Sequence, residues 1–258
     1  MSNEVHLTLA LAATLVWLVG CSAPATPSPS PTPTPSPVPK PAATVPPPVL
    51  VEKVSFTTED GVRLSGTLFG EGELAVILAH QGTQGTDQTS WQPFARLLAE
   101  QGFTALTFDF RGRGQSEGTL EVSELTRDVR AAETFLRERG LSRLVCMGAS
   151  MGGTSCVKLA LESDLEGLVV IASTMSLGRP TDLYPQDYEL LALPKLFVCA
   201  EDDTNGGVAD TVQEMYDLSP EPKQIKFFPG AVHGTELFET PQGDEFTTLL
   251  LGFVEGLR

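Results

Sequence analysis

Leu144-Val145-Cys146-Met147-Gly148-Ala149-Ser150-Met151-Gly152-Gly153-Thr154-Ser155 is the stretch whose reading decides the fold. The four apolar residues at its head form a short continuous run, as in a parallel strand buried on both faces. Behind the serine, Met151–Leu161 is a run of small and apolar residues suited to a helix. Gly148 and Gly152 let strand and helix come close together and allow the serine between them a strained backbone. A serine on such a strand-to-helix turn offers its hydroxyl at the end of the sheet, where a nucleophile can act. Gly-x-Ser-x-Gly occurs a second time, in Gly114-Gln115-Ser116-Glu117-Gly118. There it sits in a charged, glycine-rich loop several residues past its strand. Ser150 is therefore the candidate nucleophile.

Outward from this turn, strands and helices alternate. Val51–Thr58 and Val62–Phe69 read as β-branched strands joined at Glu59-Asp60-Gly61, a hairpin. Leu74–Ala79, Phe103–Phe108, Arg143–Met147, Gly167–Ala172, Lys195–Ala200 and Gln224–Phe228 read as further strands. Helices are expected over Trp91–Glu100, Leu120–Arg139, Met151–Leu161 and Gly207–Leu218, and in the segment from Thr235 onward. In the second of these, Leu125, Val129, Ala132 and Leu136 lie on one stripe with Arg and Glu opposite. Strands separated by helices of this length pair in parallel, with helices on both faces. The fold class is α/β, and residues 50–258 are enough for one substantial core.

A serine hydroxyl needs a base, and the chain has three histidines. His6 lies in the N-terminal segment expected to be removed as an export signal, and His80 ends a strand ahead of the serine. His233 follows the last strand in Phe228-Pro229-Gly230-Ala231-Val232-His233-Gly234, and is by elimination the candidate base. The acid that orients it should follow a strand between the two, where Glu201-Asp202-Asp203 supplies three carboxylates. Asp203 is chosen because Ala200-Glu201-Asp202-Asp203 resembles a common Gly-Glu-x-Asp loop that ends in the acid, with Asp202 as the alternative.

With these residues in place, the region from 50 to 258 resembles an α/β-hydrolase-fold serine hydrolase, near the dienelactone-hydrolase-like and small esterase branches. Asp109-Phe110-Arg111-Gly112-Arg113-Gly114-Gln115-Ser116 is similar to that family's loop after the fourth strand, which makes Ser116 scaffold. The resemblance implies an eight-stranded, mostly parallel sheet with an antiparallel N-terminal hairpin at its edge. It also places His80-Gln81-Gly82 in the oxyanion loop, where two amides face the developing charge. One is the amide of Met151; the other is that of Gly82, or of Gln81 if the loop is shifted. Gln81 stands where the family usually has glycine, and His80 is read as a residue holding the loop.

The N-terminus carries different information. Leu7–Val19 is apolar apart from threonine and too short to span a bilayer as a helix. It runs into Leu18-Val19-Gly20-Cys21, which resembles a bacterial lipoprotein box, so residues 1–21 are expected to be an export signal leaving Cys21 lipidated. Twelve of the chain's 20 prolines fall between Pro24 and Pro48. Residues 22–49 should then form a disordered, extended spacer, because proline removes amide donors and fixes φ. The expected location is extracytoplasmic and membrane-anchored.

Composition narrows the function further. Lys+Arg number 17 against 33 Asp+Glu, a formal charge of -16, which does not suit a nucleic-acid partner. Four cysteines without a CxxC pair give no zinc spacing, and no cofactor is called for. Cys146, Cys156 and Cys199 are expected to be buried free thiols. The connection from Ser173 to Pro194 is short for a lid, so a shallow, open cleft is expected, with Tyr184 and Tyr188 as candidate substrate contacts. The activity these residues imply is hydrolysis of small-molecule carboxylic esters through an acyl-enzyme. A peptidase or amidase with the same triad, and a non-catalytic binding module, are the rivals.

Overall fold

The computed structural model describes residues 48–176 and 182–258. Cys21 and most of the proline-rich segment lie outside the described residues, as does part of the connection after Ser173. Eight strands form one sheet: β1 (Val51–Thr57), β2 (Arg63–Phe69), β3 (Leu74–Ala79), β4 (Thr104–Phe108), β5 (Arg143–Ala149), β6 (Gly167–Ile171), β7 (Lys195–Ala200) and β8 (Lys223–Phe228). Their order is β1-β2-β4-β3-β5-β6-β7-β8. β1 and β2 pair antiparallel, β2 meets β4 antiparallel, and every later pairing is parallel. This is the α/β-hydrolase fold expected from the sequence, hairpin at the edge included.

The central strands are buried along nearly their whole length, and past the leading Arg143 of β5 and Lys195 of β7 their sequences run apolar rather than alternating. Edge strand β1 alternates instead between exposed and partly covered positions. The helices are α1 (Gln92–Glu100), α2 (Leu125–Glu138), α3 (Met151–Glu162), α4 (Pro185–Glu189), α5 (Val208–Leu218) and α6 (Gly243–Glu255). α2 starts five residues later than the periodicity suggests, after a 3₁₀ turn over Val122–Glu124. Leu125, Val129, Ala132 and Leu136 are all buried, as their stripe predicts. Asp128 is buried with them, because it receives the backbone N–H and Nε of Arg111 at 2.8 Å each. Arg111 also donates to Asp60 at 2.8 Å, so one guanidinium ties the loop after β4 to both the hairpin turn and α2. That partner holds the Asp60 carboxyl well below the usual carboxylate range.

One expectation is corrected. Cys146 and Cys156 are joined by a disulfide, with Cα atoms 5.6 Å apart, and Cys199 alone is a free thiol among the described residues. Cys146 and Cys199 do sit on strands separated by β6, too far apart to bridge. Cys156, however, lies in the second turn of α3, which packs straight back on β5 and brings it within bonding range of Cys146. The bridge encloses the whole turn that carries Ser150. Replacing both cysteines by alanine is expected to lower stability by about 3 kcal/mol, from loop closure over some ten residues. Urea unfolding of the double variant beside the wild type measures this. A loss below about 1 kcal/mol would mean the bridge is absent or contributes little.

Candidate active site

Ser150 stands between β5 and α3 with φ 52° and ψ -120°, left-handed values that a non-glycine residue rarely adopts. Neighbouring bonds hold it there. Its N–H donates to the Ile171 carbonyl at 2.8 Å, and its own carbonyl accepts from the Ser173 hydroxyl at 3.0 Å and the Thr154 N–H at 3.1 Å. A side chain on Gly148 would strike the Gly152 backbone, and one on Gly152 would strike the carbonyls of Ala79 and His80. The two glycines are thus required by close approach, as the sequence pattern implies. The Ser150 hydroxyl has no hydrogen-bond partner among the described residues and is partly exposed.

Asp203 lies three residues past β7 and His233 five past β8, and both are buried. His233 Nδ1 is 2.8 Å from Asp203 Oδ2 and 3.0 Å from Oδ1. A carboxylate can only accept, so Nδ1 carries the proton and Nε2 is left with a free lone pair. Asp203 Oδ1 also accepts the Asn205 N–H at 2.9 Å, which fixes the carboxylate's rotation. Asp202 is exposed and makes no bond to the imidazole. Cys199 lies beneath the acid, its Sγ 3.9 Å from Asp203 Oδ2. Burial first, and the Asp203 charge second, push its thiol up to about 12, so it stays protonated.

Two glycines locate these loops around Ser150. A side chain on Gly234, next to His233, would come within 3.3 Å of the Ala149 methyl, next to Ser150. One on Gly82 would come within 2.9 Å of Met151 Sδ. The Gln81–Gly82 segment and the start of α3 at Met151 therefore lie close together. The Met151 N–H, first in its helix, has no intrahelical acceptor. His80 holds the Gln81–Gly82 peptide in place. Its Nδ1 donates to the Gln81 carbonyl at 2.7 Å and its Nε2 accepts the Phe110 N–H at 3.2 Å. That pair of bonds needs the neutral ring, and burial keeps the pKa of His80 below the ordinary histidine value. Arg113 grips the next peptide, donating to the Gly82 carbonyl at 2.8 Å.

Ser116 is occupied elsewhere. Its hydroxyl donates to the Asp109 carbonyl at 2.6 Å and accepts the Ser65 N–H at 2.9 Å, binding the loop to β2. Tyr188 is fully buried on α4 and faces no substrate, while Tyr184 is exposed. The role of Gln81 is a structural one that the sequence did not reveal. Its Oε1 accepts the Thr235 N–H at 2.7 Å and the Thr235 hydroxyl at 3.1 Å, and its Nε2 donates to Thr83 at 3.2 Å. One buried carboxamide thus joins the loop after β3 to the loop bearing His233. Gln81→Ala strands the buried Thr235 N–H, which should cost about 1–3 kcal/mol and reduce turnover. Thermal denaturation and kcat measured on the same preparation test this; unchanged values in both would remove the clamp from the account.

A cavity of about 600 Å³ adjoins the site, with Gln81 and Thr235 in its wall. It is formed by the segment from Gly85 to Leu97 and by the chain after His233.

A strained serine on a strand-to-helix turn, at the same end of this sheet as a buried aspartate–histidine pair, defines the α/β-hydrolase class. A family model described as serine aminopeptidase, S33 (Hydrolase_4), matches residues 73–192. YfhR of Salmonella typhimurium is 30% identical over 227 residues, covering 73% of this chain and 76% of that protein. An esterase of Pyrococcus furiosus superposes with TM-score 0.68 at 20% identity, over 81% of this chain and 93% of that one. A monoacylglycerol lipase of Paleococcus ferrophilus gives 0.63 at 20% identity, over 76% and 99%. The chain belongs to the same family as YfhR, and its fold is that of the α/β-hydrolases.

Proposed function

We propose that the protein is a serine hydrolase of carboxylic esters. Ser150 attacks the ester carbonyl while His233 Nε2 takes its proton, and the amides of Met151 and Gly82 stabilise the oxyanion. The imidazolium then protonates the departing alcohol, leaving an acyl-enzyme. Water, deprotonated by His233, releases the acid and restores the serine. The observation that carries this reading is the buried Asp203–His233 hydrogen bond at 2.8 Å beside the strained Ser150 turn. A fluorophosphonate probe should label the peptide containing Ser150, and 4-nitrophenyl esters should turn over. A folded protein that neither reacts with the probe nor cleaves any ester would exclude it.

The matching family description, serine aminopeptidase, favours a second reading in which the same residues cleave an amide. Aminoacyl 4-nitroanilides run beside the esters decide between them through the ratio of kcat/KM values. The proposal also places the domain outside the cytoplasm, held to a membrane by lipid on Cys21 behind the proline-rich spacer. Cys21→Ser should shift the protein from the membrane fraction to the soluble one.

A further inference from the structure

The cavity beside the site has a two-part lining. Phe94, Leu97 and Phe238 supply an apolar surface. It is rigid, because Phe94 and Phe238 pack on each other at 5.7 Å between ring centroids and both lean on the buried Trp91. The charged residues lining it are Asp87, Glu236 and Glu239, and no lysine or arginine lines it among the described residues. Two of these carboxylates are held in place: Asp87 accepts the Thr89 N–H at 2.8 Å, and Glu236 accepts the His233 N–H at 3.2 Å.

Position connects the cavity to the chemistry. Its wall includes Gln81, one residue from the candidate oxyanion amide of Gly82, and Thr235, two residues from His233. The cavity thus lies on the Gln81–Thr235 side of the site, and neither Ser150 nor His233 is in its wall. A space of about 600 Å³ is within the range that buries most of a small ligand.

We infer that this cavity seats an uncharged apolar chain of an ester substrate, of medium length, and rejects chains that end in a carboxylate. The inference rests on the ester-hydrolase reading for its chemistry. The aromatic wall gains from burying methylene groups, each contributing about 0.8 kcal/mol when fully covered. A terminal carboxylate would lose its hydration among fixed negative charges, with no cation there to offset the loss.

The test measures kcat/KM of the full chain on 4-nitrophenyl acetate, 4-nitrophenyl hexanoate and the mono-4-nitrophenyl ester of adipic acid. Hexanoate is expected to exceed acetate, and to exceed the adipate ester, by about tenfold each. Leu97→Trp fills the cavity from a partly exposed position on α1 and should shift the hexanoate-to-acetate ratio about tenfold toward acetate. Glu239→Lys, at an exposed position, should narrow the hexanoate-to-adipate ratio several-fold. Ratios within twofold of wild type in both variants overturn the inference.

A second arm needs no turnover: 1-hexanol is titrated calorimetrically into the Ser150→Ala protein, with and without Leu97→Trp. Binding weakened about tenfold by Leu97→Trp, in a chain whose wild type cleaves no ester, rejects the hydrolase reading and keeps the cavity's ligand class. Ester cleavage without chain-length preference and without hexanol binding does the reverse. Neither cleavage nor binding rejects both.

Discussion

Ser150→Ala and His233→Ala are each expected to lower kcat for the proposed ester hydrolysis by about 10⁴-fold or more, with the protein still folded. The size follows from what each change removes. Without the hydroxyl there is no acyl-enzyme, and without the imidazole the hydroxyl keeps its proton, which makes it a poor nucleophile at neutral pH. What survives is the contribution of the oxyanion amides and of binding, which belong to the backbone and to the cavity. The double variant should be no slower than either single one, because the two residues act as a unit. Ser150→Ala should barely change stability, since its hydroxyl makes no hydrogen bond among the described residues, whereas His233→Ala leaves the buried Asp203 carboxylate without its partner and costs more. Ser116→Ala should behave in the opposite way. It breaks bonds to Asp109 and Ser65 and so costs stability, yet the chemistry remains. Circular dichroism and single-turnover kinetics on all four variants make the comparison. Equal loss of kcat in Ser116→Ala and Ser150→Ala, both folded, would leave the choice of nucleophile unsupported.

The contrast between the two serines shows what was legible in the chain. A buried strand running into Gly-Ala-Ser-Met-Gly has a local physical signature, because sheet burial and close backbone approach each restrict which residues can stand there. The same holds for the unbroken apolar strands and for the stripe Leu125, Val129, Ala132, Leu136. Partners chosen over long distances leave no such mark. Gln81 reads as a departure from a glycine pattern until Thr235, 154 residues later, is seen to donate to it. Asp128 reads as one more charge on a helix, yet it is buried because Arg111 arrives from another loop. The disulfide was missed for a related reason: strand spacing excluded Cys199, but the helical phase that aims Cys156 back at Cys146 is a matter of packing. Tyr188 was misplaced because a five-residue helix has too little periodicity to tell its buried side from its exposed one.

Asp203→Asn is expected to reduce kcat by about 10³–10⁴-fold while KM changes little, and Asp202→Asn to leave both within about twofold. The geometry around the carboxylate explains the size. Oδ1 of Asp203 accepts the Asn205 N–H, and Oδ2 receives His233 Nδ1. An asparagine in the same place must keep its carbonyl oxygen toward the Asn205 N–H, which has a hydrogen to donate. Its amide NH₂ then faces His233, and a donor facing Nδ1 requires Nδ1 to be the acceptor. The imidazole proton is thereby transferred to Nε2, the atom that must receive the Ser150 proton. The base is lost through its tautomer, although every heavy atom keeps its position. Asp202, exposed and without a bond to the ring, has no such path to the chemistry. A ¹⁵N spectrum of the imidazole should show the proton at Nδ1 in the wild type and at Nε2 in Asp203→Asn. Retention of more than about a tenth of kcat in Asp203→Asn, or an equal loss in Asp202→Asn, would show that the buried carboxylate does not set the tautomer on which proton transfer from Ser150 depends.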